Sequence, residues 1–192
     1  MLLTIICLIA VASGIEALSE DELKSIMPRV PATKASSFAA LLTTEMNGGA
    51  IETCCRQAAF LAQVAYESSD LNWFQEMGSG KGYEGRKDLG NNNQGDGVKY
   101  KGRGPLQIVG RSTYRSASRV LGTNIEQTPK LVEDPNLGFK VAVWYWNSLS
   151  LSTMSDCSQG NFEKITKKLS PNMTGKEGRA SKFATAKAVL KC

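Results

Sequence analysis

Apolar positions recur at helical spacing along most of the chain and lose that spacing in one long central stretch. Ser19-Glu20-Asp21-Glu22 has the serine and glutamate of a capping box and opens a short helix that Pro28 ends. From Pro31 to Met46, Phe38, Leu41, Leu42 and Met46 fall on one helical face, and Asn47-Gly48-Gly49 supplies the stop. Ile51 to about Glu67 predicts a third, alanine-rich helix with Phe60, Leu61 and Val64 turned inward. Residues 77–105 are rich in glycine and asparagine and carry little helical signal; so long an irregular segment in a compact domain is unusual and often functional. Helices resume with Ser112 as a cap for one ending near Gly122. Asp134-Pro135 opens an apolar helix through Val141, Val143, Trp144 and Trp146, and segments at Asn161–Leu169 and Lys176–Leu190 follow. The pattern predicts a mainly α chain whose irregular middle has room for a small hairpin, without internal repeats or linkers.

The first residues follow a different rule. Leu2–Ala12 is a charge-free apolar run followed by the small residues Ser13, Gly14 and Ala17. It is shorter than the roughly 20 apolar residues a membrane span requires, and it fits the core of a secretory signal peptide. Residues 1–17 are therefore expected to be a leader, and residues 18–192 a single secreted, extracellular domain. Cys54, Cys55, Cys157 and Cys192 remain after the leader, an even number that in an exported chain implies two disulfides. Neighbouring Cys54 and Cys55 are poorly placed to bond each other. Two pairings stay open: Cys54–Cys157 with Cys55–Cys192, or Cys54–Cys192 with Cys55–Cys157.

Composition bounds the chemistry. The 192 residues are 42% hydrophobic and 21% charged, ordinary globular values. Net charge is +5, or +6 for 23 basic against 17 acidic residues once Glu16 leaves with the leader. Such a balance suits an anionic surface such as a bacterial wall, though it is more often plain solubility; neither nucleic acid nor membrane is the expected partner, and a monomer is expected. The chain has no histidine, which removes serine–histidine and cysteine–histidine nucleophiles and the usual zinc sites. The glycines near 78–104 form no lysine-ended phosphate loop. No metal or cofactor is implied. Carboxylates remain for acid–base work, and glycoside hydrolysis needs two of them. Glu67, at the end of an apolar helix where the dipole and apolar neighbours disfavour ionisation, is the first candidate for a general acid.

Longer blocks sharpen this. Phe60-Leu-Ala-Gln-Val-Ala-Tyr-Glu67-Ser-Ser resembles the acid-bearing helix of family 19 glycoside hydrolases, the chitinase family. Gly82-Tyr-Glu84-Gly-Arg-Lys-Asp-Leu-Gly-Asn91, Gly95-Asp-Gly97 and Tyr100-Lys-Gly-Arg-Gly-Pro-Leu-Gln107 are similar to its bacterial and phage-endolysin branch. Leu131-Val-Glu-Asp-Pro135 with Val141–Trp146 resembles a third block, and Gly178-Arg179-Ala180 a fourth. The resemblance covers roughly residues 35–190.

It implies a lysozyme-like fold: two helical lobes, a small β-hairpin or sheet, and a central cleft. It also implies an inverting mechanism in which Glu67 protonates the glycosidic oxygen and Glu84 activates a water, with Glu76 as the spare base. Gln107, Tyr100 and Arg179 are implied as substrate-contacting or cleft residues, whereas Trp144, Tyr145 and Trp146, on an apolar helix, are expected in the core. The sequence departs from the family pattern at several positions: Tyr66 replaces a usual histidine, Val109 a hydroxyl residue that helps hold the attacking water, and Thr113 an asparagine, and near Ser170 the familiar asparagine–glycine pair is missing. Losing one positioned hydrogen-bonding group can cost about 10²–10³ in rate, so weak activity is expected. The leading expectation is an endo-acting chitin hydrolase. Alternatives are a peptidoglycan-cleaving endolysin and a catalytically weak chitin-binding lectin. Asn172-Met173-Thr174 is also an N-glycosylation sequon.

Overall fold

The computed structural model describes residues 17–192; the expected leader, apart from Ala17, lies outside the described residues. Among the described residues eight α-helices follow one another: α1 (Glu20–Ile26), α2 (Ala35–Gly48), α3 (Cys54–Glu67), α4 (Asp96–Lys99), α5 (Arg111–Leu121), α6 (Pro135–Ser148), α7 (Gln159–Leu169) and α8 (Lys176–Leu190). Among the described residues, no helix is long and apolar enough to cross a membrane.

The helix starts show local chemistry at work. Both arms of the α1 capping box are made: the Ser19 hydroxyl accepts from Glu22 N, and the Glu22 carboxylate accepts from Ser19 N. α2 begins at Ala35, later than Pro31, because residues 31–34 close a turn in which Lys34 N donates to Pro31 O. α3 begins at Cys54 with Thr53 as its cap, and α7 begins at Gln159 with Ser158 as its cap. The cap of α5 is Gly110; Ser112 lies inside the helix and donates to Leu89 O, tying α5 to the central segment. Asp134 caps α6 as its sequence suggests, accepting from Asn136 N and Leu137 N. The predicted hairpin is reduced to two isolated antiparallel bridges, Gln75 with Arg103 and Arg103 with Ile108.

Two apolar cores make two lobes. The larger takes residues from α1, α2, α3, α6, α7 and α8, and the smaller gathers Tyr100, Ile108, Tyr114, Ala117, Ile125, Val132 and Val141. α6 belongs to both: Phe139, Ala142, Val143 and Trp146 face the larger core, while Val141 faces the smaller one. Sharing two cores explains why this helix is apolar nearly all round. α3 runs through the larger core, with every residue from Ala58 to Ala65 buried. Phe60 meets Trp146 edge-on at 5.4 Å, and Phe162 stacks on Phe183 at 4.1 Å. Trp146 is fully buried as expected, while Trp144 and Tyr145 are half-buried.

Of the two open cysteine pairings, the structure has Cys54–Cys192 and Cys55–Cys157. They tie the start of α3 to the end of α8 and to the segment before α7, across sequence separations of 138 and 102 residues. Loops of that length make each bridge worth about 4–5 kcal/mol in the chain-entropy picture.

The smaller lobe is organised around a buried guanidinium. Arg103 donates from Nε to Glu133 (2.9 Å) and from Nη1 to Lys99 O (2.8 Å) and to the Tyr114 hydroxyl (3.3 Å), and that hydroxyl donates to Lys101 O (2.8 Å). Burial pushes the Tyr114 phenol up to about 12, against the opposing pull of Arg103. Its folded-state value thus lies above the unfolded value of about 10. The stability this supplies is complete below pH 10 and is lost as pH rises through about 12. Denaturant unfolding measured in steps from pH 9 to 12 should therefore show stability falling, with a shallower fall in Tyr114→Phe.

Candidate active site

Glu67 is the last residue of α3, and the chain beyond it turns in an uncommon way. Ser69, Asp70 and Leu71 all have left-handed backbones (φ 50°, 61° and 62°) although none is glycine. Such residues each cost about 1–2 kcal/mol, so the surroundings must hold them. Asp70 N donates to Ala65 O (2.7 Å), Leu71 N donates to the Ser68 hydroxyl (2.8 Å), and Asn72 N and Trp73 N both reach Ser68 O. The Asp70 carboxylate is fully buried; Oδ2 accepts from Arg29 N and Nε. Lys182 Nζ lies 2.7 Å from Oδ1 but off the direction of a hydrogen bond, so that contact is an ion pair.

α8 grips this corner twice. Arg179 and Lys182, three residues apart on α8, meet Glu67 and Asp70, three residues apart at the end of α3. Arg179 is buried, and every part of its head is engaged: Nη2 donates to Glu67 Oε1 (2.5 Å), Nη1 to Gln63 Oε1 (2.5 Å) and Nε to Thr174 O (2.9 Å). Its flat face covers the Tyr66 ring at 4.3 Å. Gln63, itself buried, completes the network by donating to the Thr166 hydroxyl of α7 (2.8 Å). Tyr66 finds room only because residues 175 and 178 are glycine. A Cβ at Gly175 would overlap the Tyr66 hydroxyl, and one at Gly178 would come within 2.9 Å of its ring. The residue standing at the unusual position is thus a packing partner for the arginine.

A second carboxylate faces the same cleft from a different element. Glu76 sits in an extended segment paired with the Gly102-Arg103-Gly104 stretch: Glu76 N donates to Gly102 O, and Gly104 N donates to Phe74 O. Lys101 Nζ clamps it by donating to Glu76 O and Gly78 O. The Tyr83 hydroxyl donates to Glu76 Oε2 at 2.9 Å. Burial and the carboxylate beside it push the Tyr83 phenol up to about 12, so it remains a donor at neutral pH. Gly102 makes room for the group: a Cβ there would stand 2.7 Å from Gln107 Oε1 and 2.8 Å from Glu76 Oε2.

The cleft has a volume of about 620 Å³ and is lined by Glu67, Glu76, Gln107 and Arg179 among others. Gln107 adopts φ 48° and donates its side-chain amide to Gly104 O (2.9 Å). Val109 and Thr113, two of the positions that depart from the family pattern, also line the cleft. Among the described residues, no group of three or more His, Cys, Asp or Glu is arranged to hold a metal.

Two expected site residues are elsewhere. Glu84 does not line the cleft; its carboxylate accepts from Gly95 N (2.6 Å) and Gly97 N (2.9 Å) at the start of α4. Free backbone N–H groups at a helix start attract an acceptor, and Glu84 fills that need. Tyr100 is buried in the smaller core at 5.4 Å from the Tyr114 ring and donates to Glu126 O. Conversely, Trp73, Met77, Tyr83 and Tyr145 line the cleft without having been singled out for it. Trp73 is 53% and Met77 85% exposed. Large apolar residues in the irregular stretch beyond α3, in polar company, were the available signal for Trp73 and Met77.

Residues 30–176 match the family model of class I chitinases, glycoside hydrolase family 19. The chain belongs to glycoside hydrolase family 19. A family 19 domain protein of Haemophilus influenzae is 28% identical over 159 residues, covering 67% of this chain and 76% of that protein. An Avena sativa endochitinase is 31% identical over 144 residues, 74% of this chain and 62% of the oat protein. The match to Chitinase 8 of Oryza sativa spans 41% of that protein, so the chain covers less than two-thirds of these plant relatives. Chitinase C of Streptomyces griseus superposes with a TM-score of 0.72 at 24% identity, covering 91% of this chain and 93% of that one. The family 19 hydrolase thus has the mainly helical, lysozyme-like fold of its structural neighbours.

The double grip of α8 has a measurable consequence for this hydrolase. Lys182→Met leaves the buried Asp70 carboxylate without its Oδ1 counter-charge and should cost about 3 kcal/mol. Arg29, whose side chain is 69% exposed, should matter less when changed to Met. Chemical denaturation of both variants compares the two; equal losses would count against the distinction.

Proposed function

We propose that this family 19 hydrolase is a secreted enzyme that cuts β-1,4 bonds within N-acetylglucosamine polymers, chitin first, with inversion at the anomeric carbon. Glu67 is the proton donor to the glycosidic oxygen. Glu76, rather than Glu84, is the base that activates the water. The observation carrying this is the presence of Glu67 and Glu76, held by separate parts of the fold, in one cleft. Inverting enzymes need two carboxyl groups about 6.5–9.5 Å apart, with space for water between them.

A neighbour fixes one oxygen of each acid. Arg179 holds Oε1 of Glu67, and Tyr83 holds Oε2 of Glu76. Among the described residues, each carboxylate keeps its other oxygen free of hydrogen bonds from the protein, available to sugar or water. Fixing one oxygen sets the direction of the other, and orientation is much of what such a site contributes. Gln107, with its amide tied to Gly104 O, can offer Oε1 to an N–H or O–H of the substrate. Trp73 and Met77 provide exposed apolar surface for sugar ring faces. Export is supported by the apolar N-terminal run and by two disulfides.

Chitin oligosaccharides test the roles. Glu67→Gln and Glu76→Gln should each lower kcat by about 10²–10⁴, whereas Glu84→Gln should keep most of the turnover while weakening the loop around α4. The first product observed by NMR should be the α-anomer; a β-anomer, or full activity in Glu76→Gln, would overturn this assignment. Val109→Thr, which adds a hydroxyl to the cleft wall, should raise kcat, and an unchanged rate would remove the explanation for weak activity.

A further inference from the structure

One methionine stands apart from the rest. Met1 lies outside the described residues; of the other five, Met27 and Met46 are buried in the larger core, and Met154 and Met173 are half-buried. Met77 is 85% exposed. It also lines the cleft, next in sequence to Glu76. Lys101 Nζ bonds the carbonyls on either side of it, Glu76 O (3.1 Å) and Gly78 O (3.0 Å), so the backbone is held while the side chain stands in water. Gly78, Ser79 and Gly80 follow, residues too small to cover a neighbouring thioether.

Little else in the described protein competes for an oxidant. All four described cysteines are joined in two disulfides, which leaves no free thiol among the described residues. Trp73, the other exposed oxidisable side chain of the cleft, offers an indole in place of a sulfur lone pair. A thioether is soft and polarisable, and an accessible one accepts a single oxygen to become a sulfoxide. That change turns a flexible apolar side chain into a polar one.

We propose that Met77 is an oxidation site at which a peroxide lowers the affinity of the cleft for its glycan. This rests on the reading of the cleft as a glycan hydrolase site and adds a means of controlling it. The Met77 sulfur lone pair attacks one oxygen of hydrogen peroxide; an S–O bond forms and the O–O bond breaks. The sulfur is oxidised by two electrons to the sulfoxide, and the second peroxide oxygen leaves with both protons as water. A sugar ring face laid over the thioether covers apolar surface, whereas one laid over the sulfoxide must strip water from a polar oxygen and returns only C–H groups to it. Glu76 is held through its Oε2 by Tyr83 and through its backbone by Lys101, and neither bond involves the Met77 side chain. The effect therefore falls on binding and spares the chemical step.

The test treats the wild-type chain with limiting hydrogen peroxide, locates the added oxygen by peptide mass spectrometry, and measures turnover of chitin oligosaccharides before and after. Met77→Leu, apolar and without sulfur, is carried through the same treatment, each protein being compared with its own untreated sample. Met77 should take up oxygen before Met154 or Met173. KM of the treated wild type should rise about fivefold with kcat within about twofold of its starting value, and treatment should leave the KM of Met77→Leu where it began. Oxygen found first on another methionine overturns the proposal, as does a Met77 sulfoxide with unchanged KM. A KM rise in treated Met77→Leu, or a fall in kcat alone, overturns it as well. The hydrolase reading fails separately, by untreated protein that turns over no glycan; the mass shift at Met77 and oligosaccharide affinity by calorimetry then still decide the oxidation site.

Discussion

A buried guanidinium must have its donors answered, and Arg179 imposes that demand on the larger lobe. Leaving such a charge unpaired away from water costs several kcal/mol, so α3, α8 and the segment before α8 can pack only where Glu67, Gln63 and Thr174 O meet it. The same demand selects the residues around it. Gly175 and Gly178 leave space for Tyr66, and Tyr66 gives the arginine its aromatic face. The Cys54–Cys192 bridge closes the far end of the α3–α8 pair, so the two helices are fixed at both ends. Precision at Glu67 follows from this arrangement, since the carboxylate belongs to the network that holds the helices together.

Arg103 plays the corresponding part in the smaller lobe. Its donors reach Glu133, Lys99 O and Tyr114, which draws the Gly102–Gln107 stretch against α5 and the start of α6. The extended segment carrying Glu76 pairs with that stretch, so the position of the second acid depends on it. Each lobe thus has a buried arginine, one bonded to Glu67 and the other holding the stretch that pairs with the Glu76 segment, and α6 contributes to both cores. This arrangement needs little regular sheet. Two isolated bridges and well-placed glycines do what a hairpin would otherwise do.

The helical fold was legible because its signals are local and periodic. The capping box at Ser19, the Asp134-Pro135 start and the apolar faces of α2 and α3 each depend on neighbours within a turn or two. Boundaries shifted where a better cap lay nearby, as with Thr53 and Ser158. Glu67, Gln107 and Arg179 were legible through motif blocks, and the structure brings all three to the cleft. The left-handed corner at 69–71 left no such mark. Asp70 alone is of a type that tolerates positive φ, and Ser69 and Leu71 carry no such signal; the corner is held where Lys182 and Arg29, distant in sequence, converge on Asp70. Disulfide connectivity was equally hidden, for it depends on where α8 ends relative to α3.

Glu84, inside a family-like block, is bound to its own loop and lies outside the residues that line the cleft. A glycine-rich segment saves steric cost but exposes backbone N–H groups that no regular structure satisfies. Between residues 93 and 97 the chain answers this with carboxylates: Asp96 accepts from Asn93 N, and Glu84 accepts from Gly95 N and Gly97 N. Gly97 must lack a side chain for the contact to form, since a Cβ there would meet Glu84 Oε2 at 2.8 Å. The glutamate and the glycines therefore constrain one another as a folding unit. Glu76 has the opposite surroundings, with its backbone fixed by pairing and its side chain touched by a single phenolic donor. A carboxylate satisfied at both oxygens by its own loop holds that loop in shape, and one left half-satisfied beside an open cleft is free to act on what enters it.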